Sequence, residues 1–168
     1  MADPTSFDDY PFTAFRFEVQ LLVAQPDQVG LGSPLCAGQF SDCDGLEMTM
    51  EPKTVKEGGN NLEQIQLPGR VSYGQLTLKR GMTANLDLWK WFVAAAGGLN
   101  PDQTANKRGL QALGQVTMFD NGGRPKLRFT LTGCLPVKIK GATLNAKEGQ
   151  VAIEEAQIAY RTLAVKNA

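Results

Sequence analysis

The chain has 168 residues, 17 of them basic and 17 acidic, so its formal net charge is zero and no overall field draws it to nucleic acid or an anionic membrane. It contains no histidine, which excludes serine triads with an imidazole base, histidine-based metal sites and imidazole acid–base catalysis. The length suits one domain with a core of its own, and residues 1–168 are read as a single unit.

The start, "MADPTSFDDYP", is acidic and polar and lacks the basic onset and apolar run of a signal peptide. No apolar stretch is long enough to span a bilayer, so cytoplasmic synthesis without stable membrane insertion is expected. "FTAFRFEVQLLV" alternates, with Phe15, Phe17, Val19 and Leu21 on one face and Arg16, Glu18 and Gln20 on the other, as in a half-buried strand. After a Pro/Gly loop, Leu46, Met48 and Met50 alternate with Glu47, Thr49 and Glu51 in a second strand. "RVSYGQLTLKR" makes a third.

Between these two lies "EPKTVKEGGNNLEQIQLPGR", residues 51–70, which is long for a connection inside a compact domain. Its apolar residues Val55, Leu62, Ile65 and Leu67 argue against plain disorder. The stretch is either a mobile surface loop or an arm that buries them against a partner, with Gly58-Gly59 and Pro68-Gly69 as pivots.

Residues 85–96 read as the one helix: Asn85 caps it, Asp87 sits in its first turn, and Gly97 and Gly98 stop it. Leu88, Trp91, Phe92 and Ala95 group on one side and Leu86, Trp89, Val93 and Ala96 on another. A helix apolar nearly all round needs cover on more than one side, from ordinary core packing or from a second subunit.

Past the helix, "LGQVTMF" and "KLRFTLTG" flank Asp120-Asn121-Gly122-Gly123, a hairpin turn whose glycines admit positive φ, and "LPVKIKG" is a further short strand. The last segment, "GQVAIEEAQIAYRTLAV", fits either a helix face or two strand faces offset by a register change near Glu154 to Ala156. The β-rich context favours the bulged strand. The fold class is therefore mainly β: an antiparallel β-barrel or sandwich of short strands with one flanking helix and a long loop or hairpin arm.

Chemistry is hard to find. Cys36, Cys43 and Cys134 are odd in number and form no CxxC pair, which suits reduced thiols. The glycines form no phosphate-binding motif. Glu154 and Glu155 read as solvated acids on opposite faces of a strand, and Asp42 and Asp44 lack calcium-loop spacing. Arg124, Lys126, Arg128, Lys138 and Lys140 read as a polar sheet face, since no aromatics interleave with them as in single-strand binders. No acid pair suggests carboxylate-only hydrolysis. No enzymatic activity, cofactor or metal is implied.

"GLEMTMEPKTVKEGGNN", "LPGRVSYGQLTLKRGMT" and "LWKWF", in that order and spacing, resemble the tail tube proteins of contractile phage tails and phage-like injection systems. The resemblance runs from about Phe12 through "VAIEEAQIAY" and extends to the haemolysin-coregulated protein of type VI secretion. It implies hexameric rings stacked into a hollow tube inside a contractile sheath, conducting cargo and piercing the target envelope. The implied partners are further copies of the chain, sheath, baseplate and terminator or cap proteins, with a protein effector or DNA in the lumen. Synthesis in the bacterial cytoplasm, assembly into the particle and release from the cell follow from it as expectations.

By motif, the resemblance assigns an inter-ring arm containing Glu51, Lys53, Thr54, Val55, Lys56, Glu57, Gly58, Gly59, Asn60, Asn61, Leu62, Ile65, Leu67 and Arg70. It makes the helix, with Leu88, Trp89, Trp91 and Phe92, a structural cover of the barrel's open side. Given a tube, the polar strand faces offer Arg16, Glu18, Thr77, Lys79, Lys126 and Arg128 as lumen-facing candidates, mixed in sign so that cargo slides without sticking. The rival reading is a monomeric β-barrel module holding a small apolar ligand.

Overall fold

The computed structural model describes residues 16–24, 26, 31, 32, 34, 35, 40–55, 64–97, 110–144 and 149–168. Phe15, Cys36 and Gly98, and the arm residues Lys56, Glu57, Gly58, Gly59, Asn60, Asn61 and Leu62, lie outside the described residues. The elements run β1 (Phe17–Val23), β2 (Asp42–Asp44), β3 (Met48–Met50), β4 (Lys53–Val55), β5 (Ile65–Leu67), β6 (Val71–Tyr73), β7 (Gln75–Gly81), α1 (Asp87–Ala95), β8 (Ala112–Phe119), β9 (Pro125–Lys140), β10 (Ile153–Ala159) and β11 (Thr162–Asn167). Among the described residues the fold is mainly β and antiparallel with one flanking helix, as the sequence predicts.

The main sheet has the order β1-β8-β9-β10-β7-β2, with β11 also on β9. The first half of β9 pairs with β8 and β11 and its second half with β10. Between the halves Gly133 has φ 62°, and a side chain there would meet Arg161 Cβ at 3.2 Å. Opposite it, Tyr160 and Arg161 separate β10 from β11, and the Arg161 N–H donates to Thr132 O at 2.8 Å. The two strands thus turn the same corner as β9, and the sheet folds into two layers around one core.

Alternation supplies that core. Val19, Leu21, Ala112, Val116, Leu131 and Leu163 enter it from one layer, and Leu76, Leu78, Ala156 and Ile158 from the other. Side chains fill the interior that the ligand-binding reading required.

The β8–β9 hairpin forms as expected: Gly123 has φ 78°, and Asp120 accepts from the Arg124 N–H at 2.9 Å and from Arg124 Nε at 3.0 Å. In α1, Leu88, Trp91 and Ala94 are buried, and the helix packs on β9. Asn85 Oδ1 accepts from the Asp87 N–H at 2.9 Å, and Gly97 ends the helix at φ 104°. Core packing thus accounts for Leu88 and Trp91, whereas Phe92 is half-buried and Leu86 and Val93 are exposed.

Four sequence expectations change. "KLRFTLTG" and "LPVKIKG" are one strand, β9, bent at Gly133. "RVSYGQLTLKR" is two, β6 and β7, parted at Gly74, where a side chain would run into Glu47. The strand at Met48–Met50 is exposed on both faces, because it belongs to a projecting ribbon. In β10 the register shifts between Gln157 and Ile158, not near Glu154 to Ala156, and Glu154, Ala156, Ile158 and Tyr160 share the inward face while Val151 and Ile153 stand outside. Glu154 is accordingly no solvated acid: it is buried and pairs with Arg80.

Candidate functional site

The 51–70 stretch is the outer part of a two-stranded ribbon that begins earlier, at β3. Met48 pairs with Tyr73 and Met50 with Val71, the Glu51 N–H donates to Arg70 O at 3.3 Å, and Lys53 pairs with Leu67 and Val55 with Ile65. From Glu51 to Lys53 the chain takes two steps while its partner takes three, so one extra residue bulges within Pro68–Arg70. A Cβ on Gly69 would lie 1.8 Å from Glu51 O. Only glycine permits that approach, which makes Pro68-Gly69 a tight crossing rather than a free pivot.

Paired residues share a ribbon face, so Met48, Met50, Val71 and Tyr73 form an apolar face with Thr49 and Ser72 behind it. Further out, Val55, Ile65 and Leu67 repeat the pattern beside Lys53. These six aliphatic and methionine side chains, Met48, Met50, Val55, Ile65, Leu67 and Val71, are between 37% and 56% exposed. Among the described residues nothing covers them further. Arm candidates Glu51, Lys53, Thr54 and Arg70 are exposed beside them.

The root of the ribbon is held by a residue that sequence reading did not single out. Tyr160 Oη lies 2.8 Å from Gly45 O and 3.0 Å from Glu47 O and accepts from the Glu47 N–H at 3.2 Å. Its ring meets Tyr73 at 5.8 Å and 57°. Burial pushes its phenol above the usual range. Gly45, at φ 89°, completes the turn into the ribbon, since a side chain there would strike Gln75 O.

The lumen candidates divide between the outer faces of the two layers. On one, Glu18 pairs with Thr117, Thr117 with Arg128 and Arg128 with Lys166, flanked by Gln20, Gln115 and Thr130. Lys126 lies on the same strand, and exposed Arg16 donates from Nη1 to Asn121 O at 3.2 Å in the hairpin turn. On the other face, Asp42 pairs with Lys79, Lys79 with Glu155 and Glu155 with Lys140, while Asp44, Thr77, Gln157 and Lys138 form the next row. Both faces are polar and mixed in sign, but the six candidates do not form one continuous patch.

The second residue set missed is the polar cluster beneath α1. Arg80 and Glu154 pair through Nε and Oε1, Trp89 Nε1 donates to Glu154 Oε2 at 2.9 Å, and Arg80 Nη2 donates to Asn85 O at 2.8 Å. A signal was present in the sequence: Arg80 continues the inward parity of Leu76 and Leu78, and Glu154 that of Ala156 and Ile158.

Among the described residues no group of three ligating side chains can hold a metal ion, and no helix is long and apolar enough to cross a membrane. Burial pushes the Cys134 thiol up to about 11, and burial with the nearby Asp44 charge pushes Cys43 up to about 12, both from 9.0. Thiols raised in the fold favour folding fully below their unfolded pKa, and that contribution is lost as pH climbs from about 9 toward 11 and 12. The melting temperature is expected to fall across that window, and to fall less in a Cys43→Ala/Cys134→Ala variant. An equal fall in both would show that the two thiols do not cause it.

The comparisons agree with this architecture. The PVC extracellular contractile injection system, as the sheath-tube complex in its extended state, contains a chain of TM-score 0.72 at 14% identity, with 100% of each chain covered. A chain in the anti-feeding prophage baseplate gives 0.69 at 22% identity, covering 94% of this chain and 96% of that one. Hcp1 from Salmonella typhimurium gives 0.51 at 11% identity, covering 90% and 86%. No curated protein sequence matches the chain. The family of the T4-like virus tail tube protein gp19 matches residues 13–164, nearly the whole chain, and the protein belongs to that tail tube family.

Proposed function

We propose that six copies of this tail tube protein close into a ring, that rings stack into a hollow tube, and that the β3–β6 ribbon is the arm by which one ring grips the next. The observation that carries this is the ribbon's apolar face, exposed among the described residues and projecting from a root pinned by Tyr160. A long edge ribbon with exposed Met, Val, Ile and Leu is an aggregation hazard unless a partner covers it.

In this reading the tube carries its cargo, a protein effector or DNA, through a channel lined by one polar, mixed-sign sheet face. A contractile sheath surrounds it, and baseplate and cap proteins end it. The relatives come from a sheath-tube complex, a baseplate and a tube-terminating cap, which supports this set of partners and an extracellular particle. Mixed charge suits passage, because a wall of one sign would hold an oppositely charged passenger through many contacts. Nothing in the role requires catalysis.

Replacing Thr54 to Leu67 with a short Gly-Ser linker is expected to leave a folded two-layer domain that builds no tubes by negative-stain microscopy. The deletion removes Val55, Ile65 and Leu67 but spares the core and the Tyr160 anchor. Tubes as long as those of the unaltered protein would remove the arm from this role.

A further inference from the structure

The outer face of the β9-β10-β7-β2 layer carries a charge order that ends unevenly. Across its four strands one row reads Asp42, Lys79, Glu155, Lys140, alternating in sign at every step. The next row reads Asp44, Thr77, Gln157, Lys138, neutral in the middle and charged at both ends. The β2 border is therefore acidic in both rows and the β9 border basic in both.

Among the described residues none of these border charges is used up in an ion pair. Among the described residues the ion pairs are Arg80–Glu154 and Arg124–Asp120, so Lys138, Lys140, Asp42 and Asp44 enter none. All four are exposed. Asp42 accepts only from its neighbour Ser41 Oγ at 3.0 Å, and Asp44 from the Gly45 N–H at 2.7 Å. Beside the two lysines, Leu135 and Val137 are 38% and 44% exposed. Among the described residues β2 pairs with β7 alone, so its other edge is open.

We propose that these borders meet head to tail between copies of the chain: Asp42 and Asp44 of one subunit face Lys138 and Lys140 of the next, and Leu135 and Val137 are covered at the same junction. This rests on the ring reading above and assigns the surface that closes the ring, distinct from the ribbon that stacks one ring on another. Unlike borders on one subunit are what a heterologous contact needs, since each copy offers one of each and no copy pairs with itself by a two-fold axis. Repetition also keeps the long row in order: after Lys140 comes the neighbour's Asp42, and the sign alternates without a break around the ring. Strand direction agrees, because β2, β7, β10 and β9 are successively antiparallel and a β2 placed beside β9 continues that sequence. Charge of this kind selects partner and register more than it adds affinity.

Two border variants test it, D42K/D44K, basic on both borders, and K138D/K140D, acidic on both. Each alone is expected to require at least about tenfold more protein for half-assembly than the unaltered chain, because every junction then opposes like charges. Mixed in equal amounts they are expected to assemble again, since each supplies the border that the other needs, and the fourfold exchange D42K/D44K/K138D/K140D is expected to assemble by itself. Mass photometry and negative-stain microscopy read the outcome, and thermal melting confirms that each variant is folded. Because Asp44 takes part in the turn at Gly45, the single variants D42K and K140D serve as a second pair if the doubles melt early. Unimpaired assembly of each border variant alone, or failure of the mixture to recover, would overturn the proposal while leaving the tube reading intact. An unaltered chain that forms neither rings nor tubes would instead overturn the reading on which the proposal rests.

Discussion

Arg80→Met is expected to lower the unfolding free energy by about 3 to 5 kcal/mol, the range for removing one partner of a buried ion pair. Arg80 and Glu154 are 4% and 3% exposed, so the carboxylate left behind has no route to water. Its remaining partner, the indole N–H of Trp89, cannot neutralise it. Arg80 also holds the backbone oxygen of Asn85, whose side chain receives the first N–H of α1, so the helix start loses its tether as well. Removing both charges in Arg80→Met/Glu154→Leu is expected to cost less than removing one, because no charge is then stranded in the core. Urea unfolding of the two variants decides this. A double variant as unstable as the single, or less stable, would mean that the loss is one of packing and not of an unpaired charge.

Trp91→Ala is expected to cost on the order of 3 to 5 kcal/mol, as for large-to-small changes in a packed core. Its side chain is 1% exposed and belongs to the core cluster that both layers build. Its indole N–H donates to Leu110 O at 2.7 Å, so truncation also leaves that carbonyl short of a partner. Trp91→Phe, which keeps most of the ring and loses the donor, is expected to fall between the unaltered chain and Trp91→Ala. Phe92→Ala is expected to cost less than either Trp91 change, because Phe92 is half-buried. Denaturant unfolding gives the order directly. A Trp91→Ala protein that unfolds like the unaltered chain but forms no tubes would show that Trp91 acts between subunits and not within one.

Elements whose evidence is local were legible in the residues. β1 reads off Val19 and Leu21 alternating with Glu18 and Gln20, because a pleat turns successive side chains to opposite faces whatever surrounds it. The β8–β9 turn reads off Asp120 and Gly123, because positive φ and an Asp side chain returning to the backbone are properties of a few consecutive residues. The C-terminal end of α1 reads off Gly97 on the same ground; the N-cap is Leu86, one residue past the Asn85 read from the sequence. The projecting arm was legible only as a length of chain with apolar residues and no obvious place to bury them.

What tertiary structure decided were the properties that depend on contacts across sequence distance. β9 is one strand because β10 and β11 follow it past Gly133, although Gly133 and Pro136 locally mark a break. The arm is a paired ribbon because Met48 finds Tyr73 and Val55 finds Ile65, and it stands where it does because Tyr160 holds Glu47 from 113 residues away. Glu154 by itself is an ordinary surface acid, and it goes inside because Arg80, 74 residues distant, lies inward on the adjacent strand. A charge has no local term that favours burial; only a partner placed beside it in the core can offset the loss of water. Composition and periodicity thus determined which segments extend, where the chain turns and which side chains share a parity, while the fold determined which strands pair and which charge finds a partner inside.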